Sequence, residues 1–284
     1  MKRGLCGLGS VAITVLVAAT APAAEPVTEI PFKLYRGYTI VAQGRIGSME
    51  KRNFLVDTGA VPSVLDQRVA RKLRLVGREE SLSVFSGNLQ AQRVNVPDVQ
   101  VGPIRSASIR MLVRDLAFIE EELGVRIDAM IGLDFLNQSG LTIDYERKTI
   151  SFGPPEASAS VVKFIPGLPY PIVEFHAQGI LVRLLVDTGA KDLILFEPRV
   201  RARLASWRTV GAKTSANMNG SVSLRQVELD QTRLGQTELG NLNAFIMDVP
   251  ADSVPGFDGL LGIASLGVKR ISFDFRRSLI GWER

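Results

Sequence analysis

Two residue types that carry much of hydrolytic chemistry are almost missing from this chain, which has one cysteine and one histidine in 284 residues. Cys6 falls within an apolar N-terminal stretch, so a chain processed behind that stretch holds no thiol. Thiol catalysis and disulfide staples are then excluded, and the body has to be held by packing. The single histidine, His176, cannot build a histidine-rich zinc site. It lies in the alternating run Val173-Glu174-Phe175-His176-Ala177, which predicts an ordinary solvent-facing strand residue, and no Gly-x-Ser-x-Gly elbow exists to supply a serine partner. Hydrolytic chemistry in this chain has to rest on carboxylates, with neither metal nor cofactor expected.

Charge of one sign is also scarce. The 34 Lys and Arg residues oppose 29 Asp and Glu, a net +5 that drops to +3 once Lys2 and Arg3 are removed. That is too mild and too scattered to make nucleic acid a partner. The one local cluster, Arg199, Arg201, Arg203 and Arg208, has the spacing of the wet side of a helix. Residues 1–24 read as a secretory leader: a positive end at Lys2 and Arg3, an apolar run from Val11 to Ala19, and the small-residue cleavage signal Ala21-Pro22-Ala23. Export to the periplasm or beyond follows. An uncleaved membrane anchor is the alternative, because Gly4 to Ala24 contains no charge. Glu25 to Ile30 leaves little room for an inhibitory propeptide before the first predicted strand.

What is present is written twice. Leu55-Val56-Asp57-Thr58-Gly59-Ala60 recurs unchanged as Leu185-Val186-Asp187-Thr188-Gly189-Ala190, 130 positions later. The same offset carries Asp128 to Asp258, Ile131-Gly132 to Leu261-Gly262, and Val64-Leu65 to Ile194-Leu195. Leu141 to Tyr145 likewise resembles Ile271 to Phe275. One offset fitting several separated landmarks indicates duplication. Short apolar runs broken by Gly, Pro and Asn make each half mostly β: Phe32 to Gln43, Arg45 to Val56, Leu82 to Phe85, Leu89 to Val96, Val99 to Val101 and Ala107 to Val113. One short helix per half is predicted, over Asp66 to Leu75 and from Glu197-Pro198 to about Ala205. Gly153 to Ser160 has no apolar period and contains turn residues. The organisation expected is a leader (1–24), an N-terminal lobe (25–153), a linker (154–160) and a C-terminal lobe (161–284).

Asp-Thr-Gly behind an apolar strand, followed some seventy residues later by two apolar residues and Gly, resembles the aspartic protease superfamily, and both halves have it. Ala60, Ala190 and the short halves are most similar to its retroviral-protease-like branch. The resemblance implies an all-β fold of two similar closed-barrel lobes with a peptide-binding cleft between them, and endopeptidase activity on a peptide or protein substrate. It implies Asp57 and Asp187 as a catalytic dyad, with Thr58, Gly59, Thr188 and Gly189 shaping the two loops that carry them. Ile131-Gly132 and Leu261-Gly262 would form the strand behind each loop. Carboxylates about 3 Å apart share one proton, which makes one a base and the other an acid.

The family also covers its site with β-hairpin flaps. Two hairpin signals stand between the catalytic loop and the later Gly strand: Phe85 and Gly87 in one half, and Asn219-Gly220 in the other. The tyrosine expected on a pepsin-type flap is absent from both, since Tyr35, Tyr38, Tyr145 and Tyr170 lie elsewhere. Asp128 and Asp258 repeat in register and read as structural. With both aspartates in one chain, a monomer is expected. The competing reading is a non-catalytic peptide-binding module that keeps the two-lobed cleft.

Overall fold

The computed structural model describes residues 28–84, 87–203, 207–217, 220–249 and 256–284. The leader, Phe85 and Asn219 lie outside the described residues. The first half runs β1 (Thr28–Tyr35), β2 (Thr39–Ile46), β3 (Met49–Val56), β4 (Val64–Asp66), α1 (Gln67–Lys72), β5 (Arg78–Val84) and β6 (Gly87–Val101). It continues through β7 (Ile104–Arg114), α2 (Ala117–Leu123), β8 (Ala129–Ile131), α3 (Leu133–Leu136), β9 (Leu141–Asp144) and β10 (Thr149–Phe152). The second half runs β11 (Ser160–Lys163), β12 (Ile172–Ala177), β13 (Ile180–Asp187), β14 (Leu193–Phe196), α4 (Glu197–Val200) and β15 (Thr209–Asn217). It ends with β16 (Gly220–Leu234), β17 (Thr237–Met247), β18 (Gly259–Gly262), a 3₁₀ turn (Ile263–Leu266), β19 (Arg270–Asp274) and β20 (Leu279–Glu283).

Each half curls its strands into a barrel. In the first, the order β1-β2-β3-β8-β4-β7-β6-β5 is closed by pairing of β2 with β6, Arg45 opposite Gln100. The second repeats it as β12-β13-β18-β14-β17-β16-β15, closed by β12 on β16. Closure pairs strands that would otherwise be open edges and leaves β5 and β15 paired on one side only. Phe54, Leu65 and Met111 fill one barrel and Phe175, Leu184 and Leu195 the other, all fully buried. Each such side chain contributes about 1.5–3 kcal/mol relative to exposure.

The lobes also share a sheet. Strands β11, β20, β19, β9, β10 and the first half of β1 form one continuous ladder, with β9 of the first half against β19 of the second. Leu141 pairs with Phe273 and Ile143 with Ile271. Under the 130-residue offset, each of those partners is the copy of the other's own residue. The duplicated segment therefore meets itself about an approximate two-fold axis, as in an isologous dimer interface.

Several local expectations need correction. Phe32 to Gln43 is two strands, because Arg36 and Gly37 adopt positive φ and turn the chain. The runs 89–96 and 99–101 belong to one strand; Asp98 takes φ 48 beside Pro97, its carboxylate held by Arg45 and Arg105, and the ladder resumes beyond it. The first helix spans only Gln67–Lys72, because Asp66 caps it by accepting from the Arg68 amide at 2.9 Å. The helix of the second half stops at Val200. Helices α2 and α3 are additional to the one expected in the first half; α2 ends on Gly124 in the left-handed conformation, an overlooked C-cap signal. The arginine cluster is not simply solvated, since Arg201 pairs with Glu197 at 2.6 Å and Arg203 grips the buried Asp258. His176 lies on β12 on the same face as exposed Glu174, as the alternation predicts, though half-buried there.

Candidate active site

The site is built by two crossed β-arrangements, one per lobe. Strand β3 lies parallel to β8, Val56 opposite Ile131, and β8 is flanked on its other side by antiparallel β4. Strand β13 lies parallel to β18, Asp187 opposite Gly262, with antiparallel β14 beyond. The apolar runs that deliver the aspartates thus end against the apolar pairs singled out behind them. The chain then leaves β3 in a tight loop: the Asp57 amide donates to the Ile131 carbonyl at 3.0 Å, and the Ala60 amide to the Asp57 carbonyl at 3.3 Å. Behind this loop, a Cβ on Gly132 would lie 2.0 Å from the Ala60 carbonyl oxygen, and one on Gly262 2.6 Å from the Asp192 amide. Only glycine lets the loop backbone pass so close.

Asp128 and Asp258 hold the entries of the same strands. Asp128 accepts from the Asn53 amide at 3.0 Å and Asp258 from the Arg183 amide at 2.9 Å, one arrangement repeated in both lobes. Both carboxylates are buried and flanked by arginines, Arg52 and Arg126 in one lobe and Arg203 in the other. They organise the strands and lie outside the cluster around Asp57 and Asp187.

Thr58 and Thr188 lock the two loops together. The Thr58 amide donates to Thr188 Oγ1 at 3.0 Å and the Thr188 amide to Thr58 Oγ1 at 3.1 Å. Each hydroxyl then donates across the interface, Thr58 to the Val186 carbonyl at 2.9 Å and Thr188 to the Val56 carbonyl at 3.2 Å. Both side chains are buried, and every polar atom in this set finds a partner, as burial demands.

On this base the carboxyls face one another. Gly59 donates its amide to Asp57 Oδ1 at 2.8 Å and Gly189 to Asp187 Oδ1 at 2.7 Å, with Ala190 adding a bond to Asp187 Oδ1 at 3.2 Å. A Cβ on Gly59 would stand 2.6 Å from Cγ of Asp187, and a Cβ on Gly189 2.7 Å from Cγ of Asp57. Each glycine is therefore the space occupied by the opposite lobe's carboxyl. Burial raises both carboxyls above the ordinary carboxylate range. For Asp187 the Asp57 charge and a hydrogen bond to Asp57 push further in the same direction, so it sits well above that range. For Asp57 the hydrogen bond with Asp187 and the Gly59 and Ala60 amides act the other way. Two carboxyls so placed share one proton, one protonated and one ionised.

The two hairpins are formed, though displaced by one residue from the glycine signals. Strands β5 and β6 close on Val84 opposite Gly87, and β15 and β16 on Asn217 opposite Gly220. Gly87 and Gly220 thus open strands.

Some neighbours of the loops occur in one half only, so comparing the halves does not mark them. Ser63 donates to Asp134 at 2.6 Å and accepts from the Gly132 amide at 2.9 Å, bracing the Asp57 loop. The 130-residue offset puts Leu193 and Ala264 at those places in the other half, where Asp192 pairs instead with Lys213 of β15. Tyr170, on the segment before β12, donates to the Val61 carbonyl of the Asp57 loop at 3.3 Å.

No curated protein matches the chain. A model of the aspartyl protease family matches it twice, over residues 42–135 and again over 173–264, and the two stretches take in both catalytic-type loops and the glycine strands behind them. With two such matches covering most of both barrels, the chain belongs to the aspartyl protease family.

Proposed function

We propose that the protein is an exported, monomeric aspartic endopeptidase in which Asp57 and Asp187 activate water against a peptide bond. The observation that carries this reading is the facing of two carboxyls, one from each lobe, each seated in the space that the opposite loop's glycine, Gly59 or Gly189, leaves open. Ionised Asp57 takes a proton from water as the water oxygen bonds to the peptide carbonyl carbon, and protonated Asp187 gives its proton to the carbonyl oxygen. The product is a neutral tetrahedral diol with no bond to the enzyme. Asp57 then returns its proton to the amide nitrogen, Asp187 recovers one from a diol hydroxyl, and the C–N bond breaks to leave acid and amine. The threonine lock serves this exchange by keeping the carboxyls in register without reorganisation.

One chain supplies both carboxyls, so dimerisation is unnecessary. Export rests on the leader-like residues 1–24. The test is cleavage of a random peptide library over pH 3 to 8 by the mature protein, its Asp57→Asn variant and its Asp187→Asn variant. Each substitution is nearly isosteric and removes the proton exchange, so each abolishes cleavage while the fold survives. Substantial activity in either variant would reject the dyad. Peptide binding without cleavage by the wild type would establish a non-catalytic binding module.

A further inference from the structure

The segment Pro166-Gly167-Leu168-Pro169-Tyr170-Pro171 carries three prolines in six residues. Proline fixes its own φ and restricts the residue before it, so the backbone at Tyr170 is preset by its sequence neighbours. The ring is packed on the C-terminal lobe, edge-on to Phe257 at 6.3 Å, and Phe257 in turn lies against buried Phe196 at 5.8 Å. The Val186 amide, next to Asp187, donates to the Pro171 carbonyl at 3.0 Å. At its other end the Tyr170 hydroxyl reaches the Val61 carbonyl, four residues past Asp57. One short, stiff segment thus touches the strand that delivers Asp187 and the loop that carries Asp57.

Resting on the dyad reading above, we propose that Tyr170 is a positioning residue for the Asp57 side of the site: its hydroxyl clamps the Val61 carbonyl and holds the loop whose amides support Asp57. The duplication makes the point sharper. The ladder register, Val41 opposite Leu55 in one half and Ile172 opposite Leu185 in the other, puts Thr39 at the equivalent place in the first half, and among the described residues Thr39 makes no hydrogen bond to the Asp187 loop. The clamp is one-sided and falls on the Asp57 loop, beside the negative charge that Asp57 bears when ionised. Gly59 and Ala60, whose amides favour that charge, lie between Asp57 and the clamped carbonyl. Tyr170 itself stays neutral, kept so by burial and by the nearby Asp57 and Asp134 carboxylates. The remaining titratable groups around the pair are Asp187, facing Asp57, and Tyr145, within the field of Asp187.

The test compares wild type, Tyr170→Phe and Tyr170→Leu. It uses kcat and KM on one library-derived peptide, thermal melting, and carboxyl ¹³C NMR titration of Asp57. Tyr170→Phe keeps the ring contacts and loses only the hydroxyl. Its kcat falls about fivefold, the equivalent of one net neutral hydrogen bond, with KM changed less than about twofold. Loosened amide support raises the Asp57 titration midpoint, and the melting temperature stays within about 4 °C of wild type. Tyr170→Leu shows the same titration shift. Unchanged kcat and titration in Tyr170→Phe would overturn the proposal, as would a rise in KM alone, which marks a substrate contact. A melting loss beyond about 8 °C would assign the hydroxyl to stability instead. An inactive wild type would sink the endopeptidase reading, while the NMR titration would still decide the clamp.

Discussion

Removing one hydroxyl from the threonine lock should cost far more than a single hydrogen bond. Thr188→Ala deletes an oxygen that accepts from the Thr58 amide and donates to the Val56 carbonyl, and both of those backbone groups are sealed from water between the lobes. Leaving a buried donor or acceptor unsatisfied costs about 1–3 kcal/mol each, and the lost methyl adds roughly 0.8 kcal/mol. The expected destabilisation is about 3–7 kcal/mol, or roughly 6–28 °C in melting temperature for a protein of this size. Thr188→Ser keeps the oxygen and loses only the methyl, so it should fall by about 1 kcal/mol. Thr58→Ala should match Thr188→Ala, because its hydroxyl makes the mirror pair of bonds to the Thr188 amide and the Val186 carbonyl. The assay is scanning calorimetry with urea titration on all three variants, alongside peptide cleavage. A Thr188→Ala melt within 2 °C or so of wild type, or a Thr188→Ser loss as large as that of Thr188→Ala, would refute the lock as a source of stability.

Gly59→Ala should leave the fold intact and reduce kcat/KM by about a hundredfold or more, since the new Cβ starts 2.6 Å from Asp187 Cγ and must displace the carboxyl by much of an ångström; kinetics with a calorimetric control decide it, and near-normal turnover would show that the carboxyl spacing is slack. The pair should also mark stability against pH. Both carboxyls are raised in the folded state, so their contribution is fully present below the ordinary aspartate value near about 4 and is lost as pH rises toward the folded values. Asp187→Asn cannot ionise at that position, so its melting temperature should gain on wild type between pH 4 and pH 7. A parallel pair of curves would contradict the raised Asp187.

The duplication, the candidate pair Asp57 and Asp187 and the strands behind it are legible in the sequence unaided. An offset of 130 residues carries Asp57 onto Asp187 and Ile131-Gly132 onto Leu261-Gly262, and the alternation of apolar residues marks barrel strands. These features are local: a catalytic loop needs its Asp, Thr and Gly in consecutive positions, and a strand's face is set by a period of two. Tertiary structure alone decided the rest. The ladder of Leu141 to Asp144 against Arg270 to Phe273 joins segments more than a hundred residues apart, and neither segment carries a mark of its partner. The clamp of Tyr170 on Val61 and the brace of Ser63 on Asp134 escape comparison of the halves, because each exists in one half only. The raised proton affinity of the pair is likewise invisible in two identical hexapeptides. It comes from burial and from the approach of one carboxyl to the other, which exist only when the barrels close and the lobes meet.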